Sequence, residues 1–170
     1  MRVRAFATAL VFLAWPADQS TAQRNGNTSL VVRVAPETRI DPPQVTLHFL
    51  VSADGRADQT NQAAVVQAWV RALPGQQIHV TGSLAQLTGP GGAVPASAVR
   101  WTGSAVSATG GAQAAACSSG VFSSTEPHEM VDGWARSGKL TCAETFELTG
   151  AGDLAPGTYT GVVTLAATSR

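Results

Sequence analysis

The stretch His128-Glu129-Met130-Val131-Asp132 falls one letter short of H-E-x-x-H. On a helix, His128 and Asp132 would occupy positions i and i+4 of one face. Glu129 beside them would polarise a metal-bound water, and zinc accepts carboxylate oxygen as well as imidazole nitrogen. Pro127 precedes the stretch and Gly133 follows it, so a helix there has room for only about one and a half turns, and position nominates no third ligand. The segment reads as a solvated single turn or loop between strands. Neither a metal nor any other cofactor is expected.

Other chemistry is equally thin. The nucleophile-elbow pattern G-x-S-x-G is absent. His48 and His79 fall on the outward parity of predicted strands, where a solvated imidazole is the ordinary outcome. Glu144 and Glu147 point to opposite faces of one strand and make no carboxylate pair. Gly89-Pro90-Gly91-Gly92 has neither phosphate-loop spacing nor a following Lys-Ser/Thr, and reads as a turn. Cys117 and Cys142 lack C-x-x-C spacing and are expected to form one disulfide. Closing a loop of about 25 residues stabilises a fold by about 3 kcal/mol in the chain-entropy model. Trp69 and Trp101 would suit a sugar-stacking platform if exposed, and Trp101 is the candidate ligand-binding residue; the core is the usual place for both. No catalytic residue is nominated, and the chain is not expected to be an enzyme.

These side chains must be held by something, and the first residues say where. Arg2 and Arg4 precede an apolar run from Ala5 to Trp15 and a small-residue end, Ser20-Thr21-Ala22, the pattern of a secretory signal peptide over residues 1–22. An apolar run of about eleven residues is well short of the ~20 needed to span a bilayer as a helix. Residues 23–28 read as a flexible N-terminal segment and 29–170 as a single domain. That length buries a sizeable core. The chain holds 11 basic and 11 acidic residues, and losing Arg2, Arg4 and Asp18 leaves a net charge of about −1. With no cluster of Lys or Arg to neutralise phosphates, nucleic acid and anionic lipid are poor candidate partners, and no membrane span is expected in the mature chain.

Apolar residues recur mostly at a period of two. Val45, Leu47, Phe49 and Val51 alternate with Thr46, His48 and Leu50, and Leu30, Val32 and Val34 repeat the pattern. Leu140, Cys142, Phe146 and Leu148 share one parity, interrupted by Glu144, which points to a bulge or a sheet edge. Tyr159, Val163, Leu165 and Ala167 form the inward row of the last strand. Ala64 to Leu73 fits a short helix or a strand; its β-branched and aromatic residues and the following Pro74-Gly75 favour strand. Gly103 to Pro127, rich in Ala, Ser and Gly, contains strand pieces at Ser104–Ala108 and Val121–Ser123 or is a mobile loop pinned by Cys117. Turn signals between these segments leave room for seven or eight strands. No long helices alternate with them, so the expected fold is all-β, an antiparallel sandwich with one disulfide.

The closing segment, from Asp153-Leu154-Ala155-Pro156-Gly157 through Thr158-Tyr159-Thr160-Gly161 to Val162-Val163-Thr164-Leu165, resembles the last turn and strand of bacterial secreted immunoglobulin-like and pilin-like sandwiches. A looser similarity is to spore-coat-like and fimbrial subunits. The resemblance implies an immunoglobulin-like or pilin-like sandwich and an exported, non-enzymatic structural or adhesive subunit at the cell surface, in the periplasm or outside the cell. Its partners would be other copies of itself or another exported protein, joined by lending a strand to an open sheet edge. The candidate donor is Leu30, Val32 and Val34; the other reading makes this segment the first strand of its own sheet. A second function, binding carbohydrate or another exported protein through exposed aromatics or the Gly103–Pro127 loop, stays open.

Overall fold

The computed structural model describes residues 35–59, 63–123 and 126–170. The expected leader, the flexible segment and the donor residues Leu30, Val32 and Val34 lie outside them. In chain order the strands begin β1 (Glu37–Asp41), β2 (Gln44–Val51), β3 (Ala57–Gln59), β4 (Ala64–Arg71), β5 (Ile78–Leu84), β6 (Gln86–Gly89) and β7 (Gly92–Pro95). They continue with β8 (Val99–Gly110), β9 (Ala116–Cys117), β10 (Ser119–Val121), β11 (His128–Glu129), β12 (Val131–Asp132), β13 (Gly138–Leu148) and β14 (Gly157–Ser169). The only helical turns among the described residues are three short 3-10 turns. No described helix is long and apolar enough to cross a membrane.

One sheet has the order β1-β4-β13-β8-β10 and the other β11-β5-β14-β2-β3, with β6 and β7 added beside β14 and β9 pairing β12 separately. Every pairing is antiparallel. The period-two pattern sets which side chains go in. Val45, Leu47, Phe49 and Val51 of β2 are buried, as are Tyr159, Val163 and Leu165 of β14. They share one apolar cluster with Val66 of β4, Val99 and Trp101 of β8, and Phe146 and Leu148 of β13, so each sheet turns its apolar face to the same core. A second cluster, around Leu140, Val80 and Trp134, continues the core.

Ala64–Leu73 resolves as strand through Arg71 and Ser104–Ala108 as the middle of the long strand β8, while the second proposed piece is displaced to Ser119–Val121. The expected seven or eight strands become fourteen among the described residues. Several are two or three residues long and carry no periodicity of their own. The bulge anticipated from Glu144 lies in the opposing strand. β13 skips from Ser107 to Ala105 of β8 between Thr141 and Cys142, leaving Val106 unpaired. Val106 is 61% exposed. β13 is not an edge: it is paired with β4 on one side and β8 on the other.

Tyr159, fully buried, closes the turn before the last strand. Its hydroxyl donates to the Ala155 carbonyl at 3.0 Å and accepts from the Gly91 N–H at 3.2 Å. Cys117 and Cys142 form the disulfide, tying β9 to β13 across 25 residues, a bond that persists in an oxidising compartment. Replacing both cysteines with alanine is expected to lower the unfolding free energy by about 3 kcal/mol in urea titrations; an unchanged midpoint would mean the cross-link constrains nothing.

Candidate functional site

The residues that made HEMVD a metal candidate do not form a helical turn. His128 and Glu129 pair as β11 with Gly82 and Thr81 of β5, whereas Val131 and Asp132 pair as β12 with Cys117 and Ala116 of β9. Four extended residues at ~3.3 Å each set His128 and Asp132 about 13 Å apart, against about 6 Å on one face of a helix, and the two stand on different ladders, so the closeness required of a ligand pair is lost. His128 enters an aromatic group, with its ring centroid 5.6 Å from Trp101 and 6.1 Å from Phe122, and its Nε2 accepts the Ser123 N–H at 2.7 Å. Glu129 takes the other side. Its Oε1 accepts the Val80 N–H at 3.1 Å and its Oε2 lies 3.2 Å from His79 Nδ1.

The His79–Glu129 pair opens into a cleft of about 310 Å³ that also borders Asp132 and Trp134. A carboxylate holding an imidazole is two thirds of a hydrolytic triad. No serine, threonine or cysteine lines the cleft. Sequence reasoning missed this pair because its members are 50 residues apart and meet only through the two-residue pairing of β11 with β5. His48 stays on the outward parity of β2, opposite Thr160 of β14.

The aromatic assignment changes. Trp101, the candidate ligand-binding residue, is only 3% exposed, 4.7 Å by ring centroid from Phe122. It is paired across β10 with Gly120, where a Cβ would lie 2.5 Å from the indole edge. The core claims it because its parity on β8 faces the opposite sheet. Trp69 takes the outer face of the same sheet, half-buried between in-register neighbours Arg39 and Lys139. The guanidinium carbon of Arg39 lies 5.4 Å and Nζ of Lys139 4.8 Å from its ring centroid. This row borders an open cleft of about 450 Å³ that also takes in Arg71 and Glu37. Parity in AVVQAWVR carries the signal: Val66, Ala68 and Val70 point in, which puts Trp69 out.

The disulfide has a neighbour that the sequence marked only as an interruption. Glu144 is 2% exposed, shares the inward row of β13 with Leu140, Cys142, Phe146 and Leu148, and has one carboxylate oxygen, Oε2, without a hydrogen-bond partner. Its carboxylate oxygen and the two sulfurs lie within 4.8 Å of one another, the one such grouping of metal-ligating atom types among the described residues. Both sulfurs are used in the S–S bond. Burial pushes the Glu144 carboxyl from its ordinary 4.5 up to about 7, because the charged form loses its water.

Comparison with protein-family models, curated proteins and solved structures finds no match for this chain.

A raised acid pKa makes the folded state bind its proton more tightly than the unfolded chain does. The stability linked to Glu144 is therefore complete below the unfolded value of 4.5, declines as pH rises from there, and levels off above about 7. The total loss is up to about 3 kcal/mol at ~1.4 kcal/mol per pKa unit. Glu144→Gln is expected to remove this slope, so urea unfolding at pH about 5 and about 8 shows the variant gaining on the parent by up to that amount. Parallel stability curves would contradict the assignment.

Proposed function

We propose that this chain is an exported, non-enzymatic subunit of a bacterial cell-surface structure, an immunoglobulin-like or pilin-like sandwich that associates with its own copies by edge-strand pairing. The observation that carries this reading is the place of β1. It is the first described strand, it lies at the end of its sheet with β4 as its one partner among the described residues, and Glu37, Thr38 and Arg39 are exposed. An open strand edge is a template for a strand from another chain. The alternating Leu30, Val32 and Val34 lie a few residues before it. The hydroxyl of Tyr159 bonding back to the Ala155 carbonyl also supports the finer fold reading, since immunoglobulin-like sandwiches brace a corner with a tyrosine in this way.

A second reading, a module that binds carbohydrate or another exported protein, is favoured by the outer-face row of Arg39, Trp69 and Lys139 beside its cleft. It takes over the role first considered for Trp101.

Size-exclusion chromatography with light scattering on the chain from Gln23, beside a version lacking residues 23–36, separates the two. The first reading expects concentration-dependent oligomers that the truncation abolishes; folded monomers in both samples defeat it. The second expects a specific glycan-array signal, lost in Trp69→Ala and kept in Trp101→Phe. An array with no signal above background removes the carbohydrate form of that reading.

A further inference from the structure

The core holds one chemical grouping that neither reading uses. Cys142 is buried, whereas Cys117 is half-buried, so a reagent from solvent meets the disulfide at the Cys117 sulfur. Breaking the bond from that side sends an electron pair to the Cys142 sulfur, deep in the core. The space there is a cavity of about 10 Å³, room for about one water centre, and its walls face Glu144 with apolar groups: Val66 of β4, Val80 of β5, Leu165 of β14, Met130 and Leu140. A bare thiolate in such surroundings costs several kcal/mol unless a proton or a donor meets it.

Glu144 is the acid within reach. Its carboxylate oxygen lies within 4.8 Å of both sulfurs and Oε2 has no other partner. The fold keeps the approach clear. Gly103 of β8 pairs with Glu144, and a Cβ there would lie 2.6 Å from the Ser118 carbonyl oxygen, 2.9 Å from Cys117 Cβ and 2.9 Å from Glu144 Oε2. Any side chain at 103 would push between the carboxyl and the disulfide. The other acid of this part of β13, Glu147, is exposed on the opposite face of the strand.

We propose that Cys117, Cys142 and Glu144 form a proton-coupled thiol–disulfide site whose co-substrate is a dithiol. The thiolate of the dithiol attacks Sγ of Cys117; the S–S bond breaks, its electron pair goes to Sγ of Cys142, and Glu144 passes its carboxyl proton to that sulfur. The second thiol of the reagent then displaces Cys117, which leaves with a proton from solvent, and the carboxylate recovers its own from water. The protein disulfide gains two electrons and becomes two thiols, and the dithiol becomes a disulfide. Run backwards, the Glu144 carboxylate takes the Cys142 proton and makes the thiolate that closes the bond. Burial keeps the carboxyl protonated up to about pH 7, which supplies the proton under neutral and acidic conditions.

Dithiothreitol serves as the probe. Reduction of the folded full chain is followed by quenching with an alkylating reagent and mass spectrometry, and each rate is divided by the dithiothreitol thiolate concentration at that pH. The parent is expected to lose about tenfold or more in this normalised rate between pH about 6 and about 9, with the change centred near 7. Glu144→Gln, which cannot give up an acidic proton, is expected to be about tenfold slower than the parent at pH about 6 and flat with pH. Glu147→Gln is expected to follow the parent. Superimposable profiles for the parent and Glu144→Gln would overturn the proposal. So would a parent rate that rises above pH 7, because charging Glu144 loosens the fold and reduction through global opening has that opposite sign. These rates are properties of the single chain and do not depend on whether it assembles through its edge.

Discussion

Two sheets that share one core must each choose a face, and the choice is made strand by strand for whole rows at once. β13 shows the force of this constraint. It is paired with β8 along its length and with β4 from Gly138 to Glu144, so Leu140, Cys142, Glu144, Phe146 and Leu148 go inside together. Slipping one residue to release Glu144 would expose four other inward side chains and bury Glu147 instead. The carboxyl is therefore carried into the core by the apolar residues around it, and neutralisation is how it stays there. The partner strand absorbs the irregularity: Val106 drops out of the ladder, and this one extra residue shifts the alternation of β8, so that Ala108, opposite Leu140, rather than Ser107 turns toward the core.

The same alternation divides two kinds of surface chemistry from the interior. β4 turns Ala68 inward and Trp69 outward, β13 turns Leu140 inward and Lys139 outward, and the outward residues stand in register with Arg39 of β1. Tryptophan on an outer sheet face would be an exposed apolar patch. Two cations lying over its ring make it part of a polar surface and hold their own long side chains in place. Trp101, opposite in parity, is spent on the core with Phe122, His128 and Phe146. Composition alone treats these two indoles alike; the register gives them opposite environments.

The titratable groups follow the topology rather than the motif. HEMVD is divided between β11 and β12, so His128 joins the aromatic core while Glu129 reaches across to His79. Glu144 and the two cysteines meet beside the glycine that leaves them room. The two groupings lie apart, one in the core beside the disulfide and one at the cleft that His79 borders.

From its letters alone, this chain is determined to be a β-protein. The period-two rows at Val45–Val51, Leu140–Leu148 and Tyr159–Leu165 and the turn residues between them follow from local sterics and from the need to bury one side of each strand. Those are properties of neighbours along the chain. That Cys117 bonds Cys142 was legible only because the chain holds two cysteines. Tertiary structure decided the rest: that β13 is central, that the bulge falls on Val106, that Trp101 is inside and Trp69 outside, that HEMVD splits, and that Glu144 lies against the disulfide. Each of these depends on which strands pair and in what register. That depends on contacts between residues tens of positions apart, which the spacing of residues along the sequence does not encode.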